Sequence, residues 1–314
     1  MEARDIAASS RVSYARRLEA ASPHYGEKVI FGLLAGCAIL SVLTTTAIVI
    51  ALIGPTIGFF GDVPVGDFLF GTDWTPQFQP PSFGVLPIVV GTLSVTLWGM
   101  LFAVPIGLGA AIYLSEYARP GVRKVVKPAL EVLAGIPTVA IGFFALTFIT
   151  PDLIQKLATS APIFLALSAG VGIGLMVIPI IASISEDAMR AVPAGLREGA
   201  YAMGATRMRV ATRVVFPAAL SGIVASVVLA ISRAVGETMI VVLAAGSTPN
   251  LTFDPLQSIQ AMTAYIATIA TGEVAQGTTK YDTIFAVGTL LFVMTLILNM
   301  ISIRFVRRFR QVYE

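Results

Sequence analysis

Residues 191–223 read "AVPAGLREGAYAMGATRMRVATRVVFPAALSGI". The stretch is basic and patterned for short helices. Gly204 interrupts it and Pro217 stops it. An apolar run long enough to cross a bilayer lies on each side. A connection of this length, with a helical pattern of its own, needs a reason beyond joining two spans. Its arginines Arg207, Arg209 and Arg213 suit anionic lipid headgroups; its helical pattern suits docking onto another protein.

The rest of the chain is the membrane protein that such a loop requires. Of 314 residues, 56% are hydrophobic and 12% charged, against roughly 25% charged in an average soluble domain. Mean hydropathy is +0.85. A helix crosses the hydrocarbon core with roughly 20 apolar residues. Six segments qualify, at about 29–53, 85–113, 128–150, 162–185, 218–246 and 284–303. The first is too long for the apolar region of a cleavable signal peptide, about 7–15 residues, and is read as a retained span.

Basic residues orient these spans. Eighteen Lys and Arg fall on one side, in the arm before residue 29, the 114–127 and 186–217 loops and the tail; two, Lys156 and Lys280, fall on the other. The positive-inside rule then puts both termini in the cytoplasm. The pI near 9.1 expresses this asymmetry and not nucleic-acid binding. The outer loops, 54–84 and 247–283, are long enough to act as docking surfaces or as packing lids. Pro105, Pro137 and Pro179 are expected to kink their helices. Recurrent glycines at 107, 109, 135, 142, 170, 172 and 174 allow close helix approach. Cys37, the one cysteine, is read as a small packing residue, and His24, the one histidine, as a surface group. No metal-ligating cluster is legible. None of the five lysines follows a glycine, so the chain lacks a phosphate-cradling P-loop.

The basic loop resembles that of bacterial ABC-importer permeases, whose pattern is E-A-A-x3-G-x9-I-x-L-P. Here Glu198, Gly199 and Ala200 are followed by Gly204, Val214, Phe216 and Pro217 at the same spacing. Gly199, Val214 and Phe216 are the conservative departures. The resemblance implies that Glu198, Gly199, Ala200, Gly204 and Pro217 belong to a coupling helix docked on a cytoplasmic ATPase. "FGVLPIVVGTL" (83–93), "AIYLSEYA" (111–118), "LEVLAGIPTVAIGFFAL" (130–146), "SISEDAMRAVP" (183–193) and "SRAVGETMIVV" (232–242) are similar to the PstC type of phosphate permease.

Arg233 and Glu237 are the charged residues of the fifth apolar run. At i, i+4 on a continuous helix they share a face. An arginine at mid-membrane costs at least ~2.5 kcal/mol, so self-neutralisation is one reading. Snorkelling is another, since Arg233 would lie about 24 Å along a span starting at Ala218. The third is transport: a guanidinium fork matches oxyanion oxygens, and a neighbouring carboxylate keeps binding weak enough for release. The resemblance favours the third, and the hydroxyls of Thr238 and Thr138 are read as further donors on the substrate pathway.

The resemblance implies an all-α polytopic protein with six transmembrane helices, in the MetI-like fold of type I ABC importers, in a bacterial cell membrane. Its expected parts are a cytoplasmic arm (1–28), a first helix with its outer loop (29–84), a five-helix core (85–303) containing the coupling loop (186–217), and a basic tail (304–314). The implied partners are a second, PstA-like permease subunit, a PstB-like cytoplasmic ATPase dimer, a PstS-like extracytoplasmic phosphate-binding protein, inorganic phosphate and membrane lipid, without nucleic acid. The chain itself would hold no catalytic residue, metal or cofactor, ATP being used by the partner ATPase. The alternatives are a permease for another oxyanion, sulfate or molybdate, and an ion-coupled secondary transporter acting alone.

Overall fold

The computed structural model describes residues 25–309. The residues before Tyr25, with His24 and most of the N-terminal arm, and those after Phe309 lie outside the described residues. The described residues are almost wholly helical, and their one β-bridge joins Trp74 and Phe83. Two units divide the chain, residues 1–51 and 52–314. Within the first, helix α1 (Tyr25–Asp62) begins and exposes nearly all its side chains, Cys37 included. Cys37 is therefore not the packing residue expected.

The second unit is built around a close helix pair. Helix α3 (Leu86–Ile112, wound on in π-helical form to Tyr117) lies against α6 (Ala166–Arg190). Glycine makes the approach possible: a Cβ on Gly170 would stand 2.8 Å from the Trp98 Cβ, and one on Gly174 2.6 Å from the Phe102 ring. Without side chains at these points, the backbones meet and bury the apolar face between them. Pro105 and Pro179 sit inside these two helices as expected. At the other end of α3, helix α2 (Val65–Phe70) and the following loop fold over an aromatic cluster. Phe59, Phe60, Phe68, Phe83, Trp74 and Tyr265 meet edge to face there. Such pairs prefer this geometry because a positive ring edge meets a negative face.

Two expected spans are redrawn. The segment 128–150 is not one helix. It divides at Gly135-Ile136-Pro137 into α4 (Pro120–Ala134) and α5 (Thr138–Phe144, continuing through a π-helical turn to Leu157). Pro137 has no N–H to donate, and it caps α5 instead of kinking a longer helix. The crossing stretch is thus Thr138–Leu157.

The segment 218–246 is also divided. Helix α7 (Ala194–Ala202) and α8 (Arg207–Val210, continuing to Ala218) fill the basic loop, and a bend of 72° separates α8 from α9 (Leu220–Val235). A second break at Gly236–Thr238 precedes α10 (Met239–Ala244). The short apolar α11 (Met262–Thr271) and the long α12 (Thr279–Phe309) complete the order. Among the described residues five helices are long and apolar enough to cross a membrane, or six with the bent pair counted as one span.

Candidate transport and coupling sites

The break after α9 is the first candidate site. Val235 is the last residue of α9 and Gly236 its C-cap. Arg233 therefore stands in the last helical turn, while Glu237 has left the helix. Among the described residues no ion pair joins the two, so the shared helical face expected from their spacing does not exist here. Glu237 is buried, 8% exposed. Its Oε1 accepts the backbone N–H groups of Met239 at 3.1 Å and Ile240 at 3.3 Å. The carboxylate thus satisfies the free donors at the start of α10, where negative charge is also favoured. The Thr263 hydroxyl donates to the Glu237 carbonyl at 2.8 Å and ties the break to α11.

Arg233 is exposed and makes no hydrogen bond or ion pair among the described residues. Leu229, Gly236 and Met239 are exposed beside it in sequence. Just before it, the Ser232 hydroxyl donates to Asn299 Oδ1 at 2.7 Å, which fixes α9 against α12. Its guanidinium is a free fork on a largely apolar segment.

Thr138 opens α5 and is half-buried. Helix α5 packs on α10 so closely that a Cβ on Gly142 would lie 3.0 Å from the Ile240 Cα. Thr138 is one turn before Gly142, and Glu237 is three residues before Ile240. Two broken helices thus meet just beyond their breaks. Thr238 is half-buried, and its hydroxyl makes one long bond, 3.4 Å to the Gly236 carbonyl. Neither threonine hydroxyl bonds to Arg233 or Glu237.

The basic loop is the second candidate site. Helix α7 carries Glu198 and Gly199 exposed and Ala200 buried. It ends at Gly204, whose φ of +80° is the left-handed conformation that side chains resist. Gly204 N–H donates to the Tyr201 carbonyl at 2.9 Å and Ala205 N–H to Ala200 at 3.1 Å. The space around Gly204 is open, so conformation and not crowding demands the glycine. Around this turn Tyr201, Met203 (85% exposed) and Met208 stand exposed. Pro217, also exposed, lies in the turn before the 72° bend.

The loop is held by charges that sequence reading had not singled out. Arg197 donates to Glu116 Oε1 through Nε at 3.3 Å and Nη2 at 3.1 Å, and to the carbonyls of Met189 and Val192 at 2.7 and 2.6 Å. One guanidinium so joins the ends of α3 and α6 to the start of α7. Arg207 lies over the Tyr117 ring, 5.7 Å from its centre.

Beside them Glu186, fully buried, meets Arg123 Nε at 2.8 Å and Lys127 Nζ at 2.9 Å, with Arg190 Nε at 3.8 Å. The Arg123 contact is close but not in line, so it attracts without forming a directed hydrogen bond. Lys127 also binds Asp187. Burial lowers its pKa, but hydrogen bonds to Asp187 and Glu186 outweigh this and raise it above the ordinary 10.5. With the folded pKa raised, this ion pair stabilises fully at neutral pH and is lost only as pH climbs through the raised value. The signal for both clusters was present: Glu116 and Glu186 are acids at the ends of apolar runs facing basic loops.

The family described as "Binding-protein-dependent transport system inner membrane component" matches residues 103–311, two thirds of the chain. The chain belongs to this family. This binding-protein-dependent permease is 35% identical over 279 residues to the "Probable ABC transporter permease protein YqgH" of Bacillus subtilis, covering 88% of this chain and 89% of that protein. It is 32% identical over 298 residues to the phosphate transport system permease protein PstC of Haemophilus influenzae, covering 87% and 91%. Among solved structures, a bacterial alginate ABC transporter in complex with alginate pentasaccharide-bound periplasmic protein aligns with TM-score 0.65 at 18% identity. That match covers 90% of this chain and 95% of the other. The MetNI methionine ABC transporter aligns with TM-score 0.55 at 21% identity, over 70% and 94%. These two establish the MetI-like importer fold. The permease is a membrane-embedded helical subunit, and its relatives are membrane subunits and not ATPases.

Proposed function

We propose that this permease imports inorganic phosphate. It would form the transmembrane pathway with a second, PstA-like permease subunit. A PstB-like cytoplasmic ATPase pair would drive it, and a PstS-like extracytoplasmic binding protein would supply it. What carries the substrate reading is the 32% identity to a phosphate permease across nearly nine tenths of the chain. The unpartnered Arg233 fork at a helix break agrees with it.

Arg233 serves as a pathway donor to phosphate. Its planar guanidinium presents parallel N–H groups to two oxygens of a desolvated anion. Glu237 plays a different part from the resetting partner its spacing suggests. As the cap of α10 it holds the break open below Arg233 and keeps a negative charge near the anion, which shortens its stay. Thr138 and Thr238 supply hydroxyls at the neighbouring helix starts. ATP-driven closure of the ATPases is transmitted through the α7 turn at Gly204 and through Arg197 into α3 and α6.

The basic end of the bundle, with α7, faces the cytoplasm in this reading. With Cys37 replaced, an impermeant thiol reagent should label Asp73→Cys and Glu273→Cys from outside and leave Met203→Cys untouched; the reverse pattern overturns the orientation. The substrate test is ATP-dependent uptake of radioactive phosphate by the reconstituted complex. Excess unlabelled phosphate should abolish uptake, and excess sulfate or molybdate should leave it unchanged. Competition by sulfate or molybdate would favour the other-oxyanion reading, and uptake by this chain without an ATPase would favour a secondary transporter.

A further inference from the structure

Helix α4 is the element the transport reading leaves without work. It joins two crossing stretches but buries none of its own residues. Its pattern is amphipathic. Val122, Val125, Ala129 and Val132, at spacings of three and four, make one exposed apolar stripe, with Val125 70% and Val132 73% exposed. The opposite face carries Arg123, Lys124 and Lys127.

Between α4, the end of α3 and the end of α6 lies an open cavity of about 490 Å³. Arg123, Lys124, Lys127 and Arg190 line it together with one acid, Glu131, and the apolar Leu114 and Pro128. The cations divide in two. Lys127 is committed to Glu186 and Asp187. Lys124 makes no bond among the described residues, and Arg190 approaches Glu186 only at 3.8 Å. Arg123 holds Glu186 through Nε alone, so its two terminal nitrogens remain free. Several unspent donors, outnumbering the one lining acid, therefore face a cavity with apolar residues in its wall, on a helix whose opposite, exposed face is apolar.

We propose that this cavity binds the headgroup of an anionic phospholipid, with α4 lying in the membrane interface. The chemistry is complementary at each level. A phosphodiester accepts from Arg123, Lys124 and Arg190; glycerol and the first methylenes fit against Leu114 and Pro128; the acyl chains pass round α4 into the apolar layer that its Val125–Val132 stripe faces. An amphipathic helix with cations on one face and valines on the other is the form that lies in an interface. Basic pockets among membrane helices on the cytoplasmic side are suited to anionic headgroups. The Glu186 cluster is what holds α4 in place, so the bound lipid would brace the segment leading into α5. The proposal rests on membership of the permease family and not on the transported ion.

The test uses the full chain in its purified complex, Cys37 replaced, with a bimane label at Val125→Cys or Val132→Cys. It is reconstituted in phosphatidylcholine vesicles containing brominated phosphatidylglycerol or, separately, brominated phosphatidylcholine. Quenching by phosphatidylglycerol should saturate at a lower mole fraction. At about five-fold per surface cation, Lys124→Gln/Arg190→Gln should weaken that preference roughly 30-fold. Lys124 makes no bond among the described residues and Arg190 makes only the 3.8 Å contact with Glu186, and the amount of inserted complex is measured alongside. Equal quenching by the two lipids overturns the proposal. So does a label shielded from both lipids, which would mean that a second subunit covers the stripe. Loss of the preference on adding millimolar inorganic phosphate would assign the cavity to the free anion and also overturn it.

Discussion

The molecule treats charge in opposite ways at two places. At the basic end, Glu116 and Glu186 are buried and surrounded by donors, Arg197 on one and Arg123, Lys127 and Arg190 on the other. At the break after α9, Arg233 and Glu237 are near in sequence yet apart in bonding, one exposed and free, the other spent on backbone N–H groups. Paired charges that cross-link three helix ends serve rigidity. An unpaired arginine persists on an apolar segment despite its cost, and the transported anion is the partner we propose for it. In the proposed function, the contrast separates the part that transmits movement from the part that meets the substrate.

The largest effect is expected where a buried charge loses its partner. Arg197→Ala leaves the Glu116 carboxylate, with 5% of its side chain exposed, and the Val192 carbonyl without their donor, and takes one of its donors from the Met189 carbonyl. A loss of about 3–5 kcal/mol is typical of a broken buried pair, so yield of folded protein and thermal stability in detergent should collapse. Normal stability in this variant would erase the contrast.

Arg233 should behave in the reverse manner. Arg233→Gln should insert and unfold like the parent, while phosphate uptake per inserted transporter falls roughly 10–100-fold, as for a lost charged hydrogen bond. Arg233→Lys should fall between the two, because it keeps the charge without the fork. Uptake restored in Arg233→Gln/Glu237→Gln would return the pair to mere self-neutralisation.

Gly204 sharpens the transmitting end. Because its φ is positive and its surroundings open, Gly204→Val should strain the turn by about 1–2 kcal/mol without a clash. ATPase stimulation and uptake should drop with insertion unchanged, and Gly204→Asn, which tolerates this conformation better, should retain more of both. Equal loss in the two variants would point to crowding by the docked partner instead of backbone strain.

The smallest effect is expected at Glu237 as a cap. Glu237→Gln keeps an oxygen for Met239 and Ile240 N–H and should leave stability nearly unchanged; Glu237→Ala should cost about 1 kcal/mol, the usual loss of a capping group. Equal destabilisation by both would mean that the negative charge, and not the cap, holds the break. Any larger loss of uptake than of stability in Glu237→Gln measures what the charge does for the passing anion.

Composition and periodicity determined much of this. An apolar composition with interrupted basic loops fixed a helical membrane protein, because no other lining satisfies the backbone in lipid as simply. The spacing from Glu198 to Pro217 located α7 and its turn at Gly204, since a short helix, a glycine turn and a proline stop are written locally. The same local reading failed where hydropathy is blind. Residues 128–137 are apolar enough to extend a span, yet Pro137 starts a new helix. Residues 232–242 are apolar enough to continue one, yet the helix ends at Val235.

Only the tertiary structure decided what each charge does. The i, i+4 spacing of Arg233 and Glu237 is a statement about a continuous helix. Packing of α10 against α5 and α6, and of Thr263 against the Glu237 carbonyl, stabilises a break there instead. The carboxylate then turns to the nearest unsatisfied N–H groups. Arg197 lies 81 residues from Glu116, and Lys127 lies 59 from Glu186, whose near-sequence contact, Arg190, stands off at 3.8 Å. No local pattern contains such a pairing. A buried carboxylate selects whichever donors the fold delivers to it, and only the meeting of α3, α4, α6 and α7 delivers these.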